Sequence, residues 1–155
     1  NEVSKARAEL VAQVVHHGTV TNFDGRKIPS ELGNFDRILL DAPCTGIGAL
    51  RRRPEVRWRR TLQDLKNLTV LQAELLDSAA RSLRSGGILA YVTCSSHQAE
   101  TTFQIRSFLR RHPHFRIKPI DDPRVDSDGN LQLWTHIDGC DSMFISLLMK
   151  VGAEG

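Results

Sequence analysis

This sequence predicts an α/β domain with a largely parallel sheet, on three observations. Two short, unbroken apolar runs, at residues 38–40 and 88–92, have the length and lack of alternation of strands buried on both faces. Between them, Leu62, Leu65, Leu68, Leu71, Leu75, Leu76 and Leu83 recur at helical spacing. Each apolar run also ends in a polar turn that carries a cysteine: DAPCTG at 41–46 and VTCSS at 92–96. In α/β sheets ligands sit beyond the carboxyl ends of the strands, so Asp24, Asp41, Cys44 and Cys94 are expected around one crevice.

The remaining elements follow in order. Ser4 can start a helix whose apolar residues are Leu10, Val11, Val14 and Val15, ending near Gly18. A short strand at 19–23 leads into FDGR at 23–26, and a loop with Pro29 and Gly33 precedes FDRILLDAP. Thr61 and Asp64 form a capping box that opens the leucine helix, and Gly86-Gly87 ends it. Ser95 with Gln98 signals a second helix start, for a helix reaching Arg111 before Pro113. Strands are expected at 115–120 and 143–151. Between them lie a DSDGN turn at 126–130 and the segment LQLW at 131–134.

The chain has 155 residues, enough for one domain with a sizeable core, and its 40% hydrophobic and 25% charged content is that of a globular protein. No apolar run approaches the roughly 18 residues that cross a bilayer, and no secretory leader pattern opens the sequence. Three cysteines, Cys44, Cys94 and Cys140, make an odd set with no CxxC pair. That argues against a disulfide framework and a zinc site, and for a reducing, cytoplasmic setting without metal. The net charge is only +3, yet residues 51–60, RRRPEVRWRR, hold six arginines and a tryptophan. Such a run is either a solvated basic face or a phosphate-contacting patch with Trp58 available to stack. Arginine's fork favours the second reading, with Arg51, Arg52 and Arg53 as the candidate RNA contacts.

A lone cysteine is more often an inert buried thiol than a nucleophile. Two of them, each in a turn at a strand's carboxyl end, shift that balance, and Cys94 precedes a helix start whose dipole would lower its pKa. Methylation at carbon 5 of cytosine needs such a pair. Carbon 5 is a poor nucleophile until a thiolate adds at carbon 6, and a second group must then help remove the carbon-5 proton. A carboxylate beside the ring would hold the nitrogen-3 and amine edge of the extruded base.

DAPCTG paired with VTCSS resembles the motif pair of the RNA cytosine-5 methyltransferases, in particular the Sun-type (Fmu-type) branch that acts on small-subunit ribosomal RNA. The flanks FDRILLDAPCTGIGALRRRPEVRW, LQAELLDSA, GGILAYVTCSS and LQLWTHIDGCDSMFISLL are similar too, so the resemblance runs over about residues 1–151. It implies a Rossmann-like methyltransferase sheet that uses S-adenosylmethionine, with 1–151 as part of the catalytic domain and 152–155 as a tail. It implies Cys94 as nucleophile, Cys44 as the residue assisting release, and Asp41 beside both the cytosine and the methyl donor. Asp24 would contact the donor's adenine and Glu2 its ribose hydroxyls. His97 has no role in the pattern and is expected at the surface.

The residues also allow simpler readings. Asp24-Gly25 can be a turn pair, and Glu2 a first-turn helix charge. Asp41, ending a strand expected to be buried, would need compensation. The family's first strand and glycine-rich donor loop should precede Glu2, so the sequence reads as the carboxyl-terminal part of a longer protein. Without that strand, FDRILLDAP is expected to expose an apolar edge, and the chain alone is expected to bind the donor weakly and to be inactive. The alternatives to a ribosomal RNA enzyme are a transfer-RNA cytosine-5 methyltransferase, a non-catalytic RNA-binding fragment, and a redox role for the two thiols.

Overall fold

The computed structural model describes residues 1–152, so residues 153–155 of the expected tail lie outside the described residues. The chain runs α1 (Lys5–Val14), β1 (Phe35–Asp41), α2 (Val56–Arg59), α3 (Leu62–Arg81), β2 (Leu83–Thr93), α4 (Thr102–Arg111), β3 (Phe115–Ile117), β4 (Leu131–Leu133), α5 (Thr135–Asp138) and β5 (Met143–Lys150). The α/β class is as expected, but the sheet is mixed. Its order is β1-β2-β5-β3, with β4 also paired to β5. The β1–β2 ladder is parallel, because the long helix α3 supplies the crossover between them. Every ladder of β5 is antiparallel. β5 enters the sheet after a short turn segment with no crossover helix of useful length, so it can only run back along its neighbours.

Tertiary placement revised three sequence expectations. Residues 38–40 are not buried on both faces: β1 is an edge strand, and Leu39 is 71% exposed. This is the apolar edge expected of FDRILLDAP. Gly86-Gly87 does not end the leucine helix, which stops at Arg81. It forms an irregularity in β2, where the register jumps from Phe35↔Leu83 to Arg37↔Ile88 and Gly86 adopts φ 74°. One carbonyl at the end of α3 is met instead by Lys150, whose Nζ donates to Ala80 O (2.9 Å) and also to Leu83 O (2.6 Å) at the start of β2. Finally, the expected strand at 19–23 has no ladder. That segment is tied to the amino terminus, Glu2 N–H donating to Thr21 O at 3.1 Å.

Other local signals hold. Thr61 and Asp64 make the reciprocal capping box. The Asp126 carboxylate accepts the backbone N–H groups of Asp128 and Asn130, closing the DSDGN turn. α3 and α4 pack on each other, and α3 lies over β1 and β2. The core between them and the sheet contains Leu76, Leu89, Tyr91, Ile105, Phe108, Phe115, Phe144 and Leu148. This core fixes the carboxyl ends of β1 and β2 side by side.

Candidate active site

β1 and β2 run parallel and in register through Asp41↔Val92, so the turns that follow them leave the sheet together. The first turn carries Cys44 and the second Cys94, and their sulfurs lie 3.3 Å apart. Each side chain is half-buried, and neither is in a disulfide. The pair divides one proton unequally. Either sulfur could donate in that contact; with Cys44 as the donor, the bond together with burial raises the Cys44 pKa well above the ordinary thiol range. Accepting that bond lowers Cys94 to about 7, against opposing contributions from burial, Asp41 and Glu100.

The expected helix dipole is not the source of this shift. The turn after Cys94 is a three-residue 3₁₀ segment at Gln98–Glu100, and α4 begins only at Thr102. Ser95 therefore caps no long helix. Its hydroxyl is buried, and His97 caps the turn by accepting Ala99 N–H at 3.2 Å, with its ring at the surface as expected. The sign of the thiol shift makes a direct prediction: alkylation of Cys94 rises with pH through a midpoint near 7, followed by mass spectrometry of its peptide. A midpoint above 8 contradicts the shared proton.

Asp41 stands at the end of β1, close enough to Cys94 to oppose its ionisation. It is exposed on the edge strand, so the compensation expected for a buried carboxylate is not needed. The segment carrying Glu2 is tied to the one that leads into Asp24 by hydrogen bonds between residues 1–3 and 21–23. Asn1 accepts Phe23 N–H, and Asn22 donates to Glu2 O. Glu2 accepts Ser4 N–H and pairs with Arg7 through Oε1, which holds its carboxyl below the usual range. Asp24 takes a bidentate grip on Arg26, which brings it to about 2.

The basic run divides. Arg52 pairs with Asp141, and Arg53 with Glu55. Arg51, Arg57 and Arg59 have no carboxylate partner among the described residues, and Trp58 between the last two is 82% exposed. Arg60 turns inward, its Nε donating to Thr45 O at 3.1 Å.

Three residues escaped the sequence reading. Gly48 N–H donates to Cys94 O (3.0 Å) and Gly48 O accepts Ser142 N–H (2.9 Å), which pins the Cys44 turn to the Cys94 turn and to the start of β5. Glu100 is fully buried and accepts hydrogen bonds from both cysteine turns. Gln72, on α3, bridges Pro43 O and Glu100. Only Gly48 carried a local hint, as the last residue of TGIG.

With this geometry in place, the comparisons decide the family. The family described as 16S rRNA methyltransferase RsmB/F matches residues 1–149. The chain belongs to the RsmB/F family. Among its relatives, a protein of Mycobacterium tuberculosis named as a suspected methyltransferase, Rv1407, is 45% identical over 157 residues, covering 97% of this chain and 34% of the relative. Ribosomal RNA small subunit methyltransferase B of Serratia proteamaculans is 37% identical, covering 87% of this chain and 31% of the relative. The solved structure of NSun6 from Pyrococcus horikoshii with SFG superposes with TM-score 0.85 at 26% identity, over 97% of this chain and 40% of that one. This RsmB/F chain thus spans about a third of the length of the curated relatives it matches. Among the described residues, no helix is long and apolar enough to cross a membrane.

Proposed function

We propose that this RsmB/F chain carries the catalytic cysteines of an enzyme that methylates carbon 5 of a cytosine in small-subunit ribosomal RNA. The observation that carries the reading is the Cys44–Cys94 pair, whose sulfurs lie 3.3 Å apart at the ends of two adjacent parallel strands. A thiolate available near pH 7 suits the addition, and a second thiol in contact with it offers a group that can serve the elimination. Cys94 forms a bond to carbon 6 of the cytosine, and the displaced electron pair makes carbon 5 nucleophilic. Once Cys94 is bonded to carbon 6 it no longer accepts the Cys44 S–H, so Cys44 can lose that proton to solvent and, after carbon 5 is methylated, take the carbon-5 proton as the base. The electrons restore the ring double bond, and Cys94 leaves as thiolate. Asp41, whose charge acts on Cys94, would hold the nitrogen-3 and amine edge of the base.

The methyl donor would be S-adenosylmethionine, which supplies an electrophilic methyl group. Glu2 fits the ribose hydroxyls, since its Oε2 accepts no hydrogen bond among the described residues, whereas both oxygens of Asp24 are held by Arg26, and one would have to be released to meet the adenine. A relative solved with SFG, an analogue of that donor, supports the assignment. RNA would lie over the exposed stretch of Arg57, Trp58 and Arg59, with Arg51 nearby. Arg52 and Arg53 already have carboxylate partners. Replacing Arg57 and Arg59 by alanine is expected to weaken RNA binding at every sequence tested and to flatten the salt dependence by about one unit of slope for each phosphate left unneutralised. An unchanged slope removes this surface from the interface.

The decisive experiment incubates the protein carrying this chain with donor and RNA containing a mechanism-trapping cytosine analogue. A covalent adduct on the Cys94 peptide, absent in Cys94→Ala, is the expected result. An adduct on Cys44 would exchange the two roles. Intact RNA binding with no adduct would favour a non-catalytic RNA-binding part.

A further inference from the structure

The geometry points to Glu100 as a positioning residue that sets the Cys44–Cys94 distance by holding both cysteine turns with one buried carboxylate. Its Oε1 accepts Thr45 N–H (2.8 Å) and the Gln72 amide (3.1 Å), and its Oε2 accepts the hydroxyls of Thr45 (2.5 Å) and Ser95 (2.7 Å). Thr45 directly follows Cys44, and Ser95 directly follows Cys94. The same Gln72 amide donates to Pro43 O (2.9 Å), so the Cys44 turn is gripped on both sides of its sulfur. The backbone of Glu100 is fixed as well, its carbonyl accepting the buried Tyr91 hydroxyl at 2.8 Å.

Burying a carboxylate is costly, and no cation offsets it here. Among the described residues Glu100 forms no ion pair, and its side-chain donors are all neutral. A core-filling residue would not need four donors that converge from α3 and the two turns carrying the sulfurs. An uncharged side chain could not satisfy them all, since four N–H and O–H groups point at two oxygens.

The inference rests on the proposed cysteine chemistry for its bearing on methyl transfer, but its test does not. The charged and titratable groups that act on Cys94 are Cys44, Asp41, Glu100 and Arg52. Glu100 affects that thiol in two opposite ways. As a charge, it disfavours the thiolate. By holding Cys44 within reach, it supplies the S–H donor that favours it. The variant Glu100→Gln removes the charge and turns one acceptor into a donor facing donors. Loss of positioning therefore raises the Cys94 midpoint, while loss of charge alone lowers it.

The experiment titrates Cys94 in the full chain with iodoacetamide, read on its peptide, for the wild type, Glu100→Gln, Ser95→Ala and Thr45→Val, with circular dichroism as the control for folding. In Glu100→Gln the midpoint is expected to move from about 7 toward the ordinary thiol value of about 8.5, with alkylation at pH 7 slowed roughly five- to ten-fold. Ser95→Ala and Thr45→Val, each removing one bond to Glu100, are expected to shift in the same direction by less; Ser95→Ala also removes the acceptor of His97 N–H. A midpoint that falls would show Glu100 acting only as a nearby charge. A midpoint held near 7 with a lower melting temperature would show a core residue and nothing more. Either overturns the inference. If Glu100→Gln does not fold, the two single-bond variants decide between the same outcomes. A shifted titration in a protein that yields no RNA adduct would leave the inference standing and reject the catalytic reading.

Discussion

Cys94→Ala in the protein carrying this chain is expected to lose methyl transfer by about four orders of magnitude or more, the scale seen when a covalent nucleophile is removed. Its neighbour cannot take over. Burial still opposes ionisation of Cys44 once its bond to Cys94 is gone, and its sulfur sits 3.3 Å from the position that the Cys94 sulfur occupies. Cys44→Ala is expected to fail differently. Addition at carbon 6 still proceeds, but elimination stalls, and RNA stays attached to Cys94 as a band that survives a denaturing gel even without a trapping analogue. Removing Cys44 also withdraws the S–H donor, so the Cys94 midpoint should rise above 7 and the reaction optimum should move to higher pH. A Cys94→Ala protein keeping more than a hundredth of its activity would rule out the covalent route.

Gly48→Ala should be the most damaging single-methyl change in this chain. A Cβ at Gly48 would lie 2.1 Å from Ser142 O and 2.9 Å from both C and O of Cys94. All three are backbone atoms, so no rotamer change relieves the overlap, and the two hydrogen bonds made by Gly48 must break or stretch. A loss of at least about 3 kcal/mol is expected, with a drop of roughly 10 °C in melting temperature and separation of the two cysteine turns. Gly46, two residues earlier, is the control. Its φ of 76° favours glycine, but nothing lies within 4 Å of its Cβ position, so Gly46→Ala should cost only about 1 kcal/mol in backbone strain. Equal effects from the two substitutions would show that conformational freedom, not close approach, selects glycine at 48.

Features set within one turn of chain were legible in the sequence. The capping box at Thr61 and Asp64, the Asp126 turn, the leucine helix and the apolar strand cores all arise from spacing and short-range hydrogen bonds. The cysteine pair was legible for a related reason: each cysteine follows a strand, and parallel neighbours end on the same side of a sheet. Element ends were less legible. Gly86-Gly87 looks like a helix stop, but α3 ends at Arg81, where Lys150, far along the chain on β5, donates to Ala80 O, and the glycines are used as a bulge in β2.

Arg51–Arg53 shows the same limit on the site itself. The run is uniformly basic in sequence, yet Asp141 lies 89 positions from Arg52, and Glu55 sits beside Arg53. Which arginines keep an uncommitted guanidinium depends on those partners. Glu100 is the clearest case, because nothing in its neighbours marks it, and its role exists only once Thr45, Gln72 and Ser95 converge on it.

The sequence by itself determined the α/β class, the two cysteine-bearing turns and the family resemblance, because local periodicity and short motifs carry those. The tertiary structure alone decided that the sulfurs meet at 3.3 Å and that a buried glutamate and one glycine tie the two cysteine turns together. Sulfur separation, burial and shared protons are properties of groups brought together from distant positions. No window of sequence contains both partners.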